Sequence, residues 1–204
     1  MSTPTAVVDY GMGNLRSVIN ALEKIGAEGE LVPDGSKLGD YGRIILPGVG
    51  AFEEAMANLR KTGFVEPLNE RVKAGTLILG ICLGMQLMCR VSDEDGEHEG
   101  LGWFDAHVRP FPAGRGLKVP HMGWNTIRFA KEHPVLDGID SGNDTYFVHS
   151  YYVDCADKGD VLGTTEHGLE FNSMIQRDNL IGMQFHPEKS QQVGLKLLEN
   201  FVKL

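Results

Sequence analysis

Three apolar runs in the first half of the chain each break on a small-residue turn and give way to helical spacing. No other feature limits the fold as much. Ala6-Val7-Val8 ends at Asp9 and the loop Tyr10-Gly11-Met12-Gly13-Asn14. Leu15, Val18, Ile19, Leu22 and Ile25 then recur on one helical face, which predicts an amphipathic helix with Asn14 as N-cap and Gly26 as stop. Arg43–Leu46 runs into Pro47-Gly48-Val49-Gly50, and helical spacing returns from Ala51 to Leu59. Thr76–Ile81 is continuously apolar, as expected of a strand covered on both faces. It meets Cys82 and a helical segment from Leu83 to about Val91. With a further strand at Glu28–Val32, the alternation predicts an α/β fold, a mostly parallel central sheet flanked by helices.

The second half is richer in strands, expected at Asp144–Asp154, Val161–Thr165, Phe171–Gln176 and Leu180–Phe185. They predict an antiparallel addition to the sheet. A closing helix, Val193–Val202, turns Leu197, Leu198 and Phe201 inward. The acidic run Ser92–Glu97 has the composition of a solvated loop. No repeat, low-complexity tract or long linker divides the 204 residues, so residues 1–204 are expected to form a single domain. A domain of this size buries roughly 70% of the surface its unfolded chain exposes. The formal charge of −9 argues against phosphate-backbone binding, which needs a basic footprint. Cys82, Cys89 and Cys155 are too few and too odd in number for a disulfide framework, and no C-x-x-C or H-E-x-x-H spacing offers a metal site. Neither a membrane-spanning apolar run nor a signal peptide is present. A reducing cytoplasmic setting is therefore expected, without metal or cofactor.

Gly80-Ile81-Cys82-Leu83-Gly84 is a G-x-C-x-G at a strand-to-helix junction. A nucleophile there sits on a strained turn, and small neighbours let the backbone crowd together. A helix starting at Leu83 would aim its N-terminus at the sulfur and favour the thiolate. The Leu83 N–H would then be an oxyanion donor. Cys89, inside the same expected helix, and Cys155, at a strand end, lack this frame and are expected to be packing residues. The thiol needs a base and the base an orienting group. Gln184-Phe185-His186-Pro187-Glu188 supplies both: in extended chain His186 and Glu188 point to one side. His149 competes as base but lacks a nearby carboxylate, and fits a substrate pocket better. The Pro47–Gly50 loop leaves its strand at the same sheet edge as Cys82, so it could supply a second donor. Gly11-Met12-Gly13-Asn14 lacks the G-x-G-x-x-G spacing, which excludes a dinucleotide site.

Pro47–Gly50, Gly80–Gly84 with Gln86, and His186–Glu188 together resemble the class I glutamine amidotransferase family, in the family's order and nearly end to end. Asp9–Asn14, His121-Met122-Gly123-Trp124-Asn125, Tyr146–Tyr151 and His186–Ser190 narrow the resemblance to its glutaminases of imidazole glycerol phosphate synthesis in histidine biosynthesis. The resemblance implies a flavodoxin-like sheet and a Cys82–His186–Glu188 triad. It implies an oxyanion hole at Gly48, Val49 and Leu83, and glutamine contacts at Gly50, Gln86, His149, Ser150 and Tyr151. It further implies that ammonia passes to a (β/α)8-barrel cyclase, approached by Asn14, Arg16, Tyr146 and Lys189, and that a peptide flip at Gly48-Val49 switches the oxyanion hole on. No synthase is expected within the 204 residues, which leaves the synthase to a separate chain. Three alternatives share part of these features. An anthranilate or aminodeoxychorismate synthase subunit would have the triad. A non-catalytic flavodoxin-like module would not need His186 and Glu188. A cysteine protease or thioesterase would lack the Gly84-Met85-Gln86 sequel.

Overall fold

The computed structural model describes residues 4–112 and 117–204 of the chain. Its first half is the expected alternation. β1 (Thr5–Val8), α1 (Leu15–Lys24), β2 (Gly29–Val32), β3 (Arg43–Gly48), α2 (Phe52–Lys61), α3 (Val65–Lys73), β4 (Leu77–Cys82) and α4 (Leu83–Leu87) follow one another. The second half is strand-rich: β5 (Cys89–Ser92), β6 (His98–Glu99), β7 (Phe104–Pro110), β8 (His121–Thr126), β9 (Arg128–Phe129), β10 (Asp144–His149), β11 (Tyr151–Cys155), β12 (Val161–Glu166), β13 (Glu170–Arg177) and β14 (Leu180–Met183), closed by α5 (Gln191–Lys203). Strands β2-β1-β3-β4-β14 form one side of the main sheet, with β2 at its edge, and run parallel. From β14 the sheet continues antiparallel through β13, β11 and β7.

Successive strand residues feed opposite faces of the sheet. Ala6, Val8, Ile44, Leu46 and Ile78 pack with α2 and α4. Val7, Ile45, Leu79 and Ile181 pack with α1 and α5. Both faces are dry, which accounts for the continuous apolar runs in the sequence. α1 ends as predicted: Gly26 takes φ +73°, its N–H reaches the Glu23 carbonyl, and the Ala27 N–H reaches Leu22. Its start differs from expectation. Asn14 Oδ1 accepts from the Ser17 hydroxyl at 2.9 Å, and no backbone N–H is capped by that side chain.

Three further expectations are corrected and one element is new. The helix from Leu83 stops at Leu87, and Cys89 lies in β5. Leu101 N–H takes the Leu87 carbonyl and Trp103 N–H the Met88 carbonyl, groups that a longer helix would have kept for itself. Residues Leu83 to Cys89 are all buried, so no polar face marks the change from helix to strand. The strand expected over Asp144–Asp154 breaks at Ser150. β10 pairs with β8 in a separate two-stranded sheet, whereas β11 joins the main sheet. α3 was not foreseen: its stripe is weak, with Leu68 its one buried residue, and Pro67 falls in its first turn. Finally, the acidic Ser92–Glu97 run is not wholly solvated. Ser92 is buried, and Glu94 Oε2 accepts from the Phe52 N–H at 2.8 Å, capping α2 across 42 residues of sequence.

Candidate active site

Cys82 ends β4 with φ +53° and ψ −110°, a conformation few non-glycine residues adopt. The flanking glycines make it possible. A Cβ on Gly80 would lie 2.8 Å from backbone atoms of Gly84 and Met85, and a Cβ on Gly84 would strike the Leu46 carbonyl oxygen. Gly48 pairs in register with Cys82. A Cβ there would stand 2.7 Å from the Tyr10 hydroxyl and 2.9 Å from Leu83 Cβ. The strand ends of the parallel sheet thus press together where α/β folds bind ligands.

β14 runs beside β4 with Met183 opposite Ile81, so the chain leaves the sheet next to the cysteine. His186 Nδ1 lies 2.8 Å from Glu188 Oε1, and both side chains are almost wholly buried. A 3-10 turn over Pro187–Lys189 brings the carboxylate round to the ring. This corrects the expectation of an extended segment, though the contact itself is the expected one. With Nδ1–H donating to Glu188, Nε2 has no hydrogen-bond partner among the described residues. Burial alone would lower the His186 pKa. The Cys82 sulfur and the Glu188 carboxylate outweigh it and raise the pKa to about 10, which favours the imidazolium. The residue is braced through its main chain: the His186 backbone N–H donates to the Tyr146 carbonyl, and Ser190 Oγ donates to the His186 carbonyl and accepts from the Tyr146 N–H.

Cys82, His186, Val49, Gly50, Leu83, Gln86, His149, Ser150 and Tyr151 share one cleft of about 340 Å³. Gly48 is just behind it, at the end of β3. His149 is not free to act as a base. Its Nδ1 meets the Tyr151 carbonyl at 2.7 Å and its Nε2 meets His121 Nδ1 at 2.9 Å. Burial drives its pKa down to about 3. His121 falls to about 4 for the same main reason. A single set of tautomers satisfies the cluster with both rings neutral: Asn125 donates to His121, His121 to His149, and His149 to Tyr151. Glu94 and Pro120 also line the cleft and were missed by the sequence reading. Only the distant contact with Phe52 draws Glu94 in, and no local pattern reports that. Burial raises the Glu94 carboxyl above the usual carboxylate range.

Val49 lines the cleft and is 41% exposed; Val119, next to the cleft-lining Pro120, and Met122 and Trp124, opposite Val148 and Tyr146 in the β8–β10 pair, expose 42%, 61% and 48% of their surface. Tyr146 packs edge-to-face against Trp124, with ring centroids 5.9 Å apart. Of the other residues expected near a partner, Lys189 and Arg16 are exposed and Asn14 is half-buried. Cys89 and Cys155 are buried in the core, and burial pushes both thiols up.

The family model described as glutamine amidotransferase class-I matches residues 6–204. An imidazole glycerol phosphate synthase subunit HisH from Sulfurimonas denitrificans is 51% identical over 201 residues, covering 97% of each chain. One from Moorella thermoacetica is 49% identical over 201 residues, covering 98% of this chain and 95% of that one. Among solved structures, a glutamine amidotransferase aligns with a TM-score of 0.76 at 20% identity, over 98% of this chain and 97% of that one. PurLQS from Thermotoga maritima aligns at 0.78 and 21% identity, over 100% and 99%. At these identities the structural matches speak for the fold alone.

Proposed function

The chain belongs to the class I glutamine amidotransferase family, and from that membership we propose that it hydrolyses glutamine with Cys82, His186 and Glu188. The observation that carries the proposal is the Glu188–His186 contact, which leaves Nε2 unpaired in the Cys82 cleft. His186 Nε2 takes the Cys82 proton, and the sulfur attacks the side-chain amide carbon. Backbone N–H groups of Val49 and Leu83 hold the oxyanion, with the Gly48-Val49 peptide turning to present its donor. Each such donor contributes about 3–4 kcal/mol in comparable hydrolases. His186 then returns the proton to the departing nitrogen and ammonia leaves. Water, deprotonated by His186, cleaves the thioester to give glutamate and the free thiol. Glu188 keeps Nδ1 protonated and steadies the imidazolium.

The rest of the cleft suits an α-amino acid. Glu94 and the Gln86 side-chain oxygen would receive the ammonium group, and Gly50, Ser150 and Tyr151 would border the backbone of the substrate. His149, locked as a neutral donor to the Tyr151 carbonyl, would hold that wall in shape. The HisH relatives support the finer reading, a glutaminase subunit of imidazole glycerol phosphate synthase; we place it in the cytoplasm, with residues 1–204 as its amidotransferase domain. No helix among the described residues is long and apolar enough to cross a membrane. Ammonia would pass to a (β/α)8-barrel cyclase that makes imidazole glycerol phosphate and an aminoimidazole carboxamide ribotide. The exposed apolar rim, with Tyr146, Lys189, Asn14 and Arg16, would meet that partner.

The test is glutamate release with and without the cyclase and its nucleotide. Cys82→Ala is expected to lower release by at least about a thousandfold, as removing an activated nucleophile does. Full activity in that variant overturns the proposal.

A further inference from the structure

We infer that Gln184 is a further catalytic residue, an amide that donates a hydrogen bond to the Cys82 sulfur and favours its thiolate, with Gln86 as the positioning residue that fixes it. The inference rests on Cys82 being the nucleophile. Gln184 follows β14 and is wholly buried. Its Nε2 stands 3.8 Å from Cys82 Sγ, within reach of a large sulfur atom. Its Oε1 lies 3.1 Å from Gln86 Nε2. Gln86 Nε2 also donates to the Tyr151 carbonyl at 3.2 Å, so both of its protons are used. That carbonyl has no rotamer of its own and takes its second hydrogen bond from His149.

These contacts fix which way each amide faces. Turning Gln86 over would set its oxygen against the Tyr151 carbonyl and the Gln184 oxygen. Turning Gln184 over would set its NH2 against that of Gln86 and its oxygen against the sulfur. The arrangement therefore always presents an N–H to Cys82. Besides His186, the sulfur also faces the Val148 carbonyl at 3.9 Å, which can accept only from the neutral thiol. On ionisation the bond to Val148 is lost and the bond from Gln184 becomes charge-assisted, so Gln184 favours the anion.

The test is the rate of Cys82 alkylation by iodoacetamide from about pH 5 to about pH 10, the reagent being selective for thiolate. Peptide mass spectrometry separates Cys82 from Cys89 and Cys155. Gln184→Met keeps the volume and removes the donor. It is expected to slow alkylation near neutral pH by about tenfold, the usual effect of one hydrogen bond to a charged group. Gln86→Met leaves Gln184 in place but unlocked and is expected to give a smaller slowing. It reads the same point should Gln184→Met fail to fold. Profiles that superimpose on the wild type in a folded variant overturn the inference, while Cys82→Ala glutamate release, measured separately, reports on the proposed function itself.

Discussion

His186 and His149 open on the same cleft, yet their surroundings drive them to opposite protonation states. His186 has a buried carboxylate on one nitrogen and a sulfur near the other, which hold its proton. His149 has a carbonyl and another imidazole, and burial strips its charge. Glu188→Gln would keep a hydrogen-bond acceptor near Nδ1 but remove the charge, and should lower glutamine turnover by about a hundredfold or more. Tyr10 offers a contrasting prediction. Its hydroxyl is buried without a partner among the described residues, and burial raises its pKa. Tyr10→Phe removes an unsatisfied group, so thermal denaturation should show equal or greater stability, by up to about 1 kcal/mol. A loss of stability would mean that the hydroxyl is satisfied after all. Cys82, His186 and Glu188 could be found in sequence because each sits in a short motif whose spacing fixes its local geometry. Glu94 and Gln184 were not singled out as site residues, because their partners lie 42 and 102 residues away.

At the scale of elements, the strand-to-helix elbow depends on backbone crowding that only glycine permits. Gly84→Ala would drive a methyl group into the Leu46 carbonyl and should cost at least about 3 kcal/mol or prevent folding, as judged by urea unfolding. Gly42→Ala is the control. A Cβ there meets nothing within 4 Å and the residue has no positive φ, so stability should hold or rise by about 0.4–1 kcal/mol. The parallel strands and α1, α2 and α5 were legible because their apolar periods match their burial. α4 and β5 were not, because a segment buried on all sides carries no period. The end of α4 is set where the Leu101 and Trp103 N–H groups capture the Leu87 and Met88 carbonyls. The break at Ser150 is likewise invisible locally, since both halves are good strands that choose different partners.

At the scale of the whole molecule, the histidines shape the pH dependence of stability. His121 and His149 have folded pKa values of about 4 and 3, below the usual 6.5. Between pH 6.5 and about 4 the unfolded chain binds protons that the native state refuses, so stability falls as the solution is acidified. His186, raised to about 10, acts in the other sense: its contribution is complete below pH 6.5 and fades as the pH climbs toward 10. Urea midpoints should therefore peak near neutrality, and His149→Gln should flatten the acid side; an unchanged acid slope would count against a neutral buried cluster. The apolar rim gives a prediction of its own. Trp124→Glu should leave basal glutaminase activity intact while weakening cyclase binding by at least about tenfold in titration calorimetry, as loss of a buried aromatic anchor does.

Apolar period, glycine placement and motif spacing act over a few residues, so the parallel core, the elbow and the local setting of Cys82, His186 and Glu188 were legible in the chain. Where α4 ends, which sheet each half of the 144–155 segment joins, and which amides surround the sulfur were settled by the fold. Those outcomes turn on hydrogen bonds and burial between segments far apart in the chain, where the competing local structures differ by little and the distant partner tips the balance.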